Sequence, residues 1–220
     1  MNLIAPYNEQ KILLHTCCAP CAGSLIEALQ SAGLDITLYY YNPNIFPQEE
    51  YELRKKETEV YAKKMRIPCV TPAYNYAEWE QYTQGYENEP ERGRRCTLCF
   101  HMRLGQLAKY AYENGFKVIT SSLGISRWKN FDHITECGKE AAKLYPDIIY
   151  WAHNWRKKGG SERMYAIAKE NHFYKQEYCG CRFSLEQTIA WRTKNRKETF
   201  PSVNDAKDKK THEDNVKRYA

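Results

Sequence analysis

Nine cysteines stand in the 220 residues of this chain, and seven of them fall into three tight groups. These are Cys17-Cys18-Ala19-Pro20-Cys21, Cys96-Thr97-Leu98-Cys99 and Cys179-Gly180-Cys181. An odd count with no secretory leader does not read as a disulfide framework; in a reducing compartment such clusters bind metal or do redox work. Cys69 and Cys137 stand alone and read as plain thiols. The first group opens a helix. In nucleotide-binding α/β proteins that turn is glycine-rich, because phosphate must approach backbone N–H groups. Here sulfur fills it, at a helix N-terminus that lowers thiol pKa, so the turn suits thiolate ligands rather than a nucleoside triphosphate. Cys96 and Cys99 also open a helix, behind Arg92, Arg94 and Arg95. Together with Cys17 and Cys18 they supply four thiolates, the complement of a [4Fe–4S] cluster and equally of structural zinc. Their placement at helix starts, rather than in closed loop knuckles, favours iron–sulfur. Cys179 and Cys181, one residue apart, could close a small strained ring that is easily reduced. That suits a dithiol holding two electrons; two more metal ligands are the other reading.

These groups need a frame. Residues 11–16 form a short apolar run, a buried strand, followed by a helix that takes in Pro20 and the 24–32 stretch, with the proline tolerated in its first turn. A β-branched and aromatic strand over 35–41 stops at Asn42-Pro43-Asn44. A charged helix over 48–66, a strand over 68–71 and a helix over 76–86 follow, then a polar loop over 88–95. Helix 96–114 leads into strand 117–120, helix 130–144 and strand 147–151. Strands alternating with helices predict an α/β fold, a parallel sheet with helices on both faces. In such sheets the ligand site lies beyond the carboxyl ends of the strands. The junctions there, 16–21, 41–45, 120–130 and 151–160, hold most of the unusual residues.

Composition sets outer bounds. The chain is 42% hydrophobic and 27% charged, which excludes wholesale disorder. It has no run long enough to span a membrane, and Glu9 and Pro6 interrupt any secretory apolar region, which predicts a cytoplasmic protein without a membrane partner. The net charge of +6 favours an acidic partner. Arg156-Lys157-Lys158 and the Arg127, Lys129 pair lie at two of the junctions and suit phosphate, while Trp128, Trp151 and Trp155 offer stacking surface for an unpaired base. A single domain over 1–184 is expected, then a basic extension over 185–220, helical at first and then disordered. Residues 192–220 of it hold nine Lys or Arg against five Asp or Glu.

Four motifs in this order carry a resemblance. Leu13-Leu14-His15-Thr16-Cys17-Cys18-Ala19-Pro20-Cys21, then Tyr41-Asn42-Pro43-Asn44-Ile45, then Cys96-Thr97-Leu98-Cys99 with Arg103-Leu104, then Tyr178-Cys179-Gly180-Cys181, resemble the epoxyqueuosine reductases of the QueH type. The resemblance runs over 11–184 and implies a Rossmann-like, adenine-nucleotide α-hydrolase-like domain. It implies reduction of epoxyqueuosine to queuosine at the wobble position of tRNA, with electrons from an unidentified donor. By the same resemblance, Cys17, Cys18, Cys96 and Cys99 hold a [4Fe–4S] cluster and Cys179 and Cys181 form a redox-active pair. A second, mononuclear iron beside the cluster is compatible with the family and would take some of these six thiolates, Cys21 being left open. Two departures stand out: Asn154-Trp155-Arg156-Lys157 where Asp-Phe-Lys-Lys is expected, and Ser126-Arg127 for Ser-Pro. His15, Asp132 and His133 are the candidate proton donors, and Lys129, Arg156, Lys157 and Lys158 the candidate tRNA contacts. The main rival is a non-catalytic, zinc-stabilised RNA-binding protein, which leaves Cys179-Gly180-Cys181 without a task. A tRNA sulfur-transferase on the same fold is the other, and the missing glycine-rich loop counts against an ATP-using version.

Overall fold

Alternating burial along the first strand decides the layering. In β1 (Lys11–His15), Ile12 and Leu14 pack on one side of the sheet and Leu13 on the other, all three fully buried. The computed structural model describes residues 3–127 and 129–195. β1 is flanked in parallel by β2 (Asp35–Tyr39) and β4 (Val118–Ser121), with β3 (Cys69–Val70) and β5 (Ile149–Tyr150) outside them, giving the order β3-β2-β1-β4-β5. A strand buried on both faces reads as a continuous apolar run, which is why the run at 11–16 was legible.

Helices α1 (Ala19–Ser31), α2 (Gln48–Met65) and α6 (Gly160–Glu170) cover one face; α3 (Tyr76–Tyr82), α4 (Arg94–Glu113) and α5 (Phe131–Lys143) cover the other, joined by Phe183 of α7 (Arg182–Lys194). The α/β sheet with helices on both faces is therefore as expected. Gly23 lets α1 and α6 meet closely, since a Cβ there would stand 2.7 Å from Ile167.

The element edges differ from the sequence reading in instructive ways. α1 begins at Ala19, with Pro20 in its first turn as expected, because Pro20 is preset for a first turn and Cys18 takes the extended cap position. α4 begins at Arg94, and the buried Arg95 of its first turn donates to the carbonyls of Tyr86, Glu87 and Glu89 at 2.6–2.9 Å, holding the loop ahead of it. α6 was not foreseen; its one fully buried apolar residue, Ile167, leaves little periodic signal. The expected boundary at 184 falls inside α7, whose buried residues are Phe183 and Ser184. Trp128 and residues 196–220, most of the basic extension, lie outside the described residues.

Candidate active site at the carboxyl edge of the sheet

The strand order turns back between β1 and β4, and at such a switch point the loops leave the sheet on opposite sides and open a crevice. Ser122, directly after β4, bridges it: its Oγ accepts from Cys17 N at 3.1 Å and lies 3.4 Å from Cys17 Sγ. Here α1 presents Cys17, Cys18 and Cys21 with their sulfur atoms all within 4.8 Å of one another, the one group of three metal-ligating atoms that close among the described residues. Cys17 and Cys18 sulfurs are 3.7 Å apart. Hydrogen bonds from Cys18 and Cys21, with Lys129 and Arg103 nearby, hold the Cys17 thiol well below the usual thiol range. The same bonds to Cys17 and Cys18 push Cys21 up, while burial, then Cys17, pushes Cys18 up.

The other four clustered thiols surround a neighbouring cavity. Cys96 and Cys99, on the first turns of α4, line it together with Cys179 and Cys181, which lie just ahead of α7. Burial, then Cys179, pushes Cys96 up to about 11 and Cys181 up to about 12. The larger cavity, about 710 Å³, is lined by Cys17, Cys21 and Cys179. Asn44, Glu91, Arg103, Lys129 and Cys179 line both. Of the expected ligands, Cys17 and Cys18 are thus brought together with Cys21, and Cys96 and Cys99 with the Cys179, Cys181 pair, across a shared wall.

That wall is cationic. Arg103 is buried, donates to Asn42 Oδ1, and reaches Cys99 Sγ at 4.0 Å; Asn42 in turn donates to Thr16 O at 2.9 Å, tying α4 to the β1–α1 turn. Burial works against the Lys129 ammonium, but Cys179, Cys17 and Cys21 hold its pKa above the usual lysine value. Two buried polar atoms of the wall, Arg103 Nε and Asn44 Oδ1, have no hydrogen-bond partner in the protein. Buried polar groups are almost always satisfied, so such orphans mark a place for a ligand. Soft thiolates beside them suit iron or zinc and not a hard cation.

Other expected residues are placed differently. His15 lies under the crevice and lines neither cavity: Nδ1 meets Ser121 Oγ at 3.0 Å and Nε2 meets Tyr41 O at 3.2 Å. Burial, then Arg103, lowers its pKa to about 3, so it is neutral at physiological pH with both nitrogens engaged. Asp132 is exposed and also outside both cavities, whereas His133 lines the second and shares a 2.9 Å bond with Thr97 Oγ1. Arg156 is turned inward, donating to the carbonyls of Gly124, Ser126 and Lys129 at 2.6–2.8 Å; Lys157 and Lys158 are exposed beyond the lining. Trp155 is core, and its Nε1 donates to Thr120 Oγ1 at 3.4 Å.

Arg54 and Glu50 are the residues that the sequence reading passed over. Both are buried within a helix of charged composition. Arg54 Nε donates to Glu50 Oε1 at 2.7 Å, and its Nη atoms reach Cys179 O at 3.3 Å and Tyr178 O at 3.4 Å. The signal was there: Tyr51, Arg54, Thr58, Tyr61 and Ala62 recur at helical spacing on one buried stripe. Gly180, at φ +138°, makes the turn between the paired cysteines, and Phe46 N donates to its carbonyl at 2.8 Å.

No helix of the described residues is long and apolar enough to cross a membrane. The family model described as "Epoxyqueuosine reductase QueH" matches residues 12–187. Proteins named "Epoxyqueuosine reductase QueH" from Acinetobacter baylyi and Histophilus somni are 53% and 51% identical to it, over 87% and 90% of this chain and 88% and 81% of their own. The protein of that name from Thermotoga maritima is 30% identical over 79% of this chain and 90% of its own. With its thiols gathered on the crevice that this fold opens, the chain belongs to the epoxyqueuosine reductase QueH family.

Proposed function

We propose that this chain reduces epoxyqueuosine at the wobble position of tRNA to queuosine. The observation that carries the reading is the convergence of six thiols from three separate segments on two adjoining cavities, with Cys18 packed behind Cys17 and Cys21. Conversion of an epoxide to an alkene breaks both C–O bonds, consumes two electrons and two protons, and releases water. The Cys179, Cys181 dithiol supplies that count on becoming a disulfide, and an outside two-electron reductant then restores it. Cys17, Cys18, Cys96 and Cys99 would hold a [4Fe–4S] cluster, and Cys21 would be left for a mononuclear iron. A cluster of this kind, when bound, passes electrons singly.

The remaining work falls to the protein. Lys129, facing Cys17, Cys21 and Cys179, balances negative charge as the ring oxygen is released. His133, oriented by Thr97, delivers a proton from the wall of the second cavity; the engaged nitrogens of His15 and the exposed position of Asp132 suit that task less well. The test is made on protein purified without oxygen, by iron and sulfide per chain and by loss of the epoxide from tRNA. Cys17→Ser and Cys96→Ser should each lose cluster absorbance and turnover together. Full activity in a cluster-free variant would overturn the proposal, and a colourless protein carrying about one zinc would favour the structural RNA-binding reading.

A further inference from the structure

The proposed chemistry uses the thiol-lined floor where the two cavities adjoin and leaves the outer wall of the larger one without a role. That wall is built by α6 and the segment leading to α7, where Met164, Tyr165, Lys169 and Lys175 line the same cavity as Cys17 and Cys21. Tyr165 is 55% exposed, so its ring is not part of the core. Lys169 stands four residues further along the helix, on the same side, and Lys175 follows its end. Both lysines are exposed, and neither has an ion pair among the described residues. Of the two glutamates on the lining, Glu177 is paired with Arg192 at 2.9 Å, leaving Glu91 as the single carboxylate against a cationic rim.

The charge expected at the junction after β5 is not available for this purpose, because Arg156 is bound inside to three carbonyls and Lys157 and Lys158 line neither cavity. A polyanionic chain approaching the thiols therefore meets Lys169 and Lys175 on the α6 side, in addition to Arg127 from the junction after β4. A base that enters a cavity of about 710 Å³ must leave its stack, and its neighbours in the loop lose a partner at the mouth. An exposed aromatic ring at that mouth replaces the lost stacking without reading sequence, and flexible ammonium groups beside it take phosphates as point charges.

We propose that α6 and the segment after it are the docking face for the single-stranded RNA loop that carries the target base, with Tyr165 stacking on a neighbouring base and Lys169 and Lys175 on the flanking phosphates. This rests on the reading of the chain as a reductase of a base in tRNA. The test is fluorescence anisotropy of a labelled anticodon stem-loop RNA with the full-length holoprotein, at several salt concentrations, for variants whose iron content and melting curve match the parent. Tyr165→Ala should weaken binding roughly 5- to 100-fold, as loss of one base–aromatic stack does, and Tyr165→Phe should restore it. The double change Lys169→Ala, Lys175→Ala should flatten the slope of log K against log salt by about 1.4, two phosphates on a single strand. In turnover assays Tyr165→Ala should raise KM and leave kcat in place. A stem-loop affinity and salt slope unmoved by all three substitutions would overturn the docking face. If the parent protein binds the stem-loop no better than a duplex RNA of equal length, the tRNA reading falls, and the docking face with it. A parent that prefers the stem-loop, with silent variants, sinks the docking face alone.

Discussion

The two thiol groups at this site are held in opposite ways. Cys17, Cys18 and Cys21 sit on one turn of chain, fixed by β1 behind them and by the first turn of α1 ahead. Cys96, Cys99, Cys179 and Cys181 come from two segments some eighty residues apart in the sequence, and the second of these is a loop. That loop is held from outside, by Arg54 on the carbonyls of Tyr178 and Cys179, by Phe46 N on Gly180 O, and by Ser184 Oγ accepting from Cys179 N at 2.9 Å. Preorganisation in the first group is local and in the second it is tertiary. The Cys179, Cys181 dithiol gains from this placement, because a loop can shift to close an S–S bond while the ligand-bearing turns at the starts of α1 and α4 stay fixed.

The largest effect that tests this division is loss of chemistry with retention of metal. Cys179→Ser should keep its iron, its sulfide and its visible absorbance, and form no alkene from epoxide-bearing tRNA. Cys21→Ser should instead lower the iron content of the protein, since its sulfur lies within 4.8 Å of Cys17 and Cys18. Metal analysis and turnover on the two variants, side by side, decide the matter. Loss of iron from Cys179→Ser would make Cys179 a metal ligand rather than a redox thiol and break the comparison.

Next in size is the clamp. Arg54 and Glu50 form a buried ion pair, with Tyr174 Oη donating to the second Glu50 oxygen at 3.0 Å. Removing one member strands the other charge, so Arg54→Ala should cost about 3–5 kcal/mol of stability in a denaturant titration. The sharper observation is local. Alkylation of Cys179 and Cys181 in the folded protein should speed up in the variant while that of Cys17 does not. Equal acceleration at both groups would mean that Arg54 supports the whole domain and not the loop.

What could be read in advance follows the same line. The strands, the parallel sheet and the placement of Cys17 and Cys18 at a helix start were legible, because apolar runs and a proline-bearing turn are properties of neighbouring residues. Cys21 was undecided from sequence, and only the turn of α1 brings its sulfur to the others. For Arg54 the helical spacing of the buried stripe was legible but its partners were not, since the role of that guanidinium depends on carbonyls over a hundred positions away. His15 was chosen as a proton donor for its place beside the thiols, yet strand geometry turns it under the crevice toward Ser121 and Tyr41. Arg156 was likewise taken as a surface cation, and its three carbonyl partners on the neighbouring loop were not visible in the sequence.

Those partners supply the smallest and most discriminating effect. Arg156 Nε and Nη2 hold the loop after β4 by the carbonyls of Gly124, Ser126 and Lys129, and Lys129 is, with Arg103, one of the two cations that line both thiol cavities. Arg156→Ala removes three hydrogen bonds at a partly solvated position, so the loss of stability should be about 1–2 kcal/mol, well below that of Arg54→Ala. Its consequence should be shared, because a displaced ammonium withdraws from Cys17, Cys21 and Cys179 together. Alkylation of Cys17 and Cys179 in metal-free protein should therefore shift in step, in contrast to the one-sided response expected of Arg54→Ala. A change confined to Cys179 would place Lys129 with the loop-borne thiols alone, and the two groups would then have separate electrostatic supports as well as separate mechanical ones.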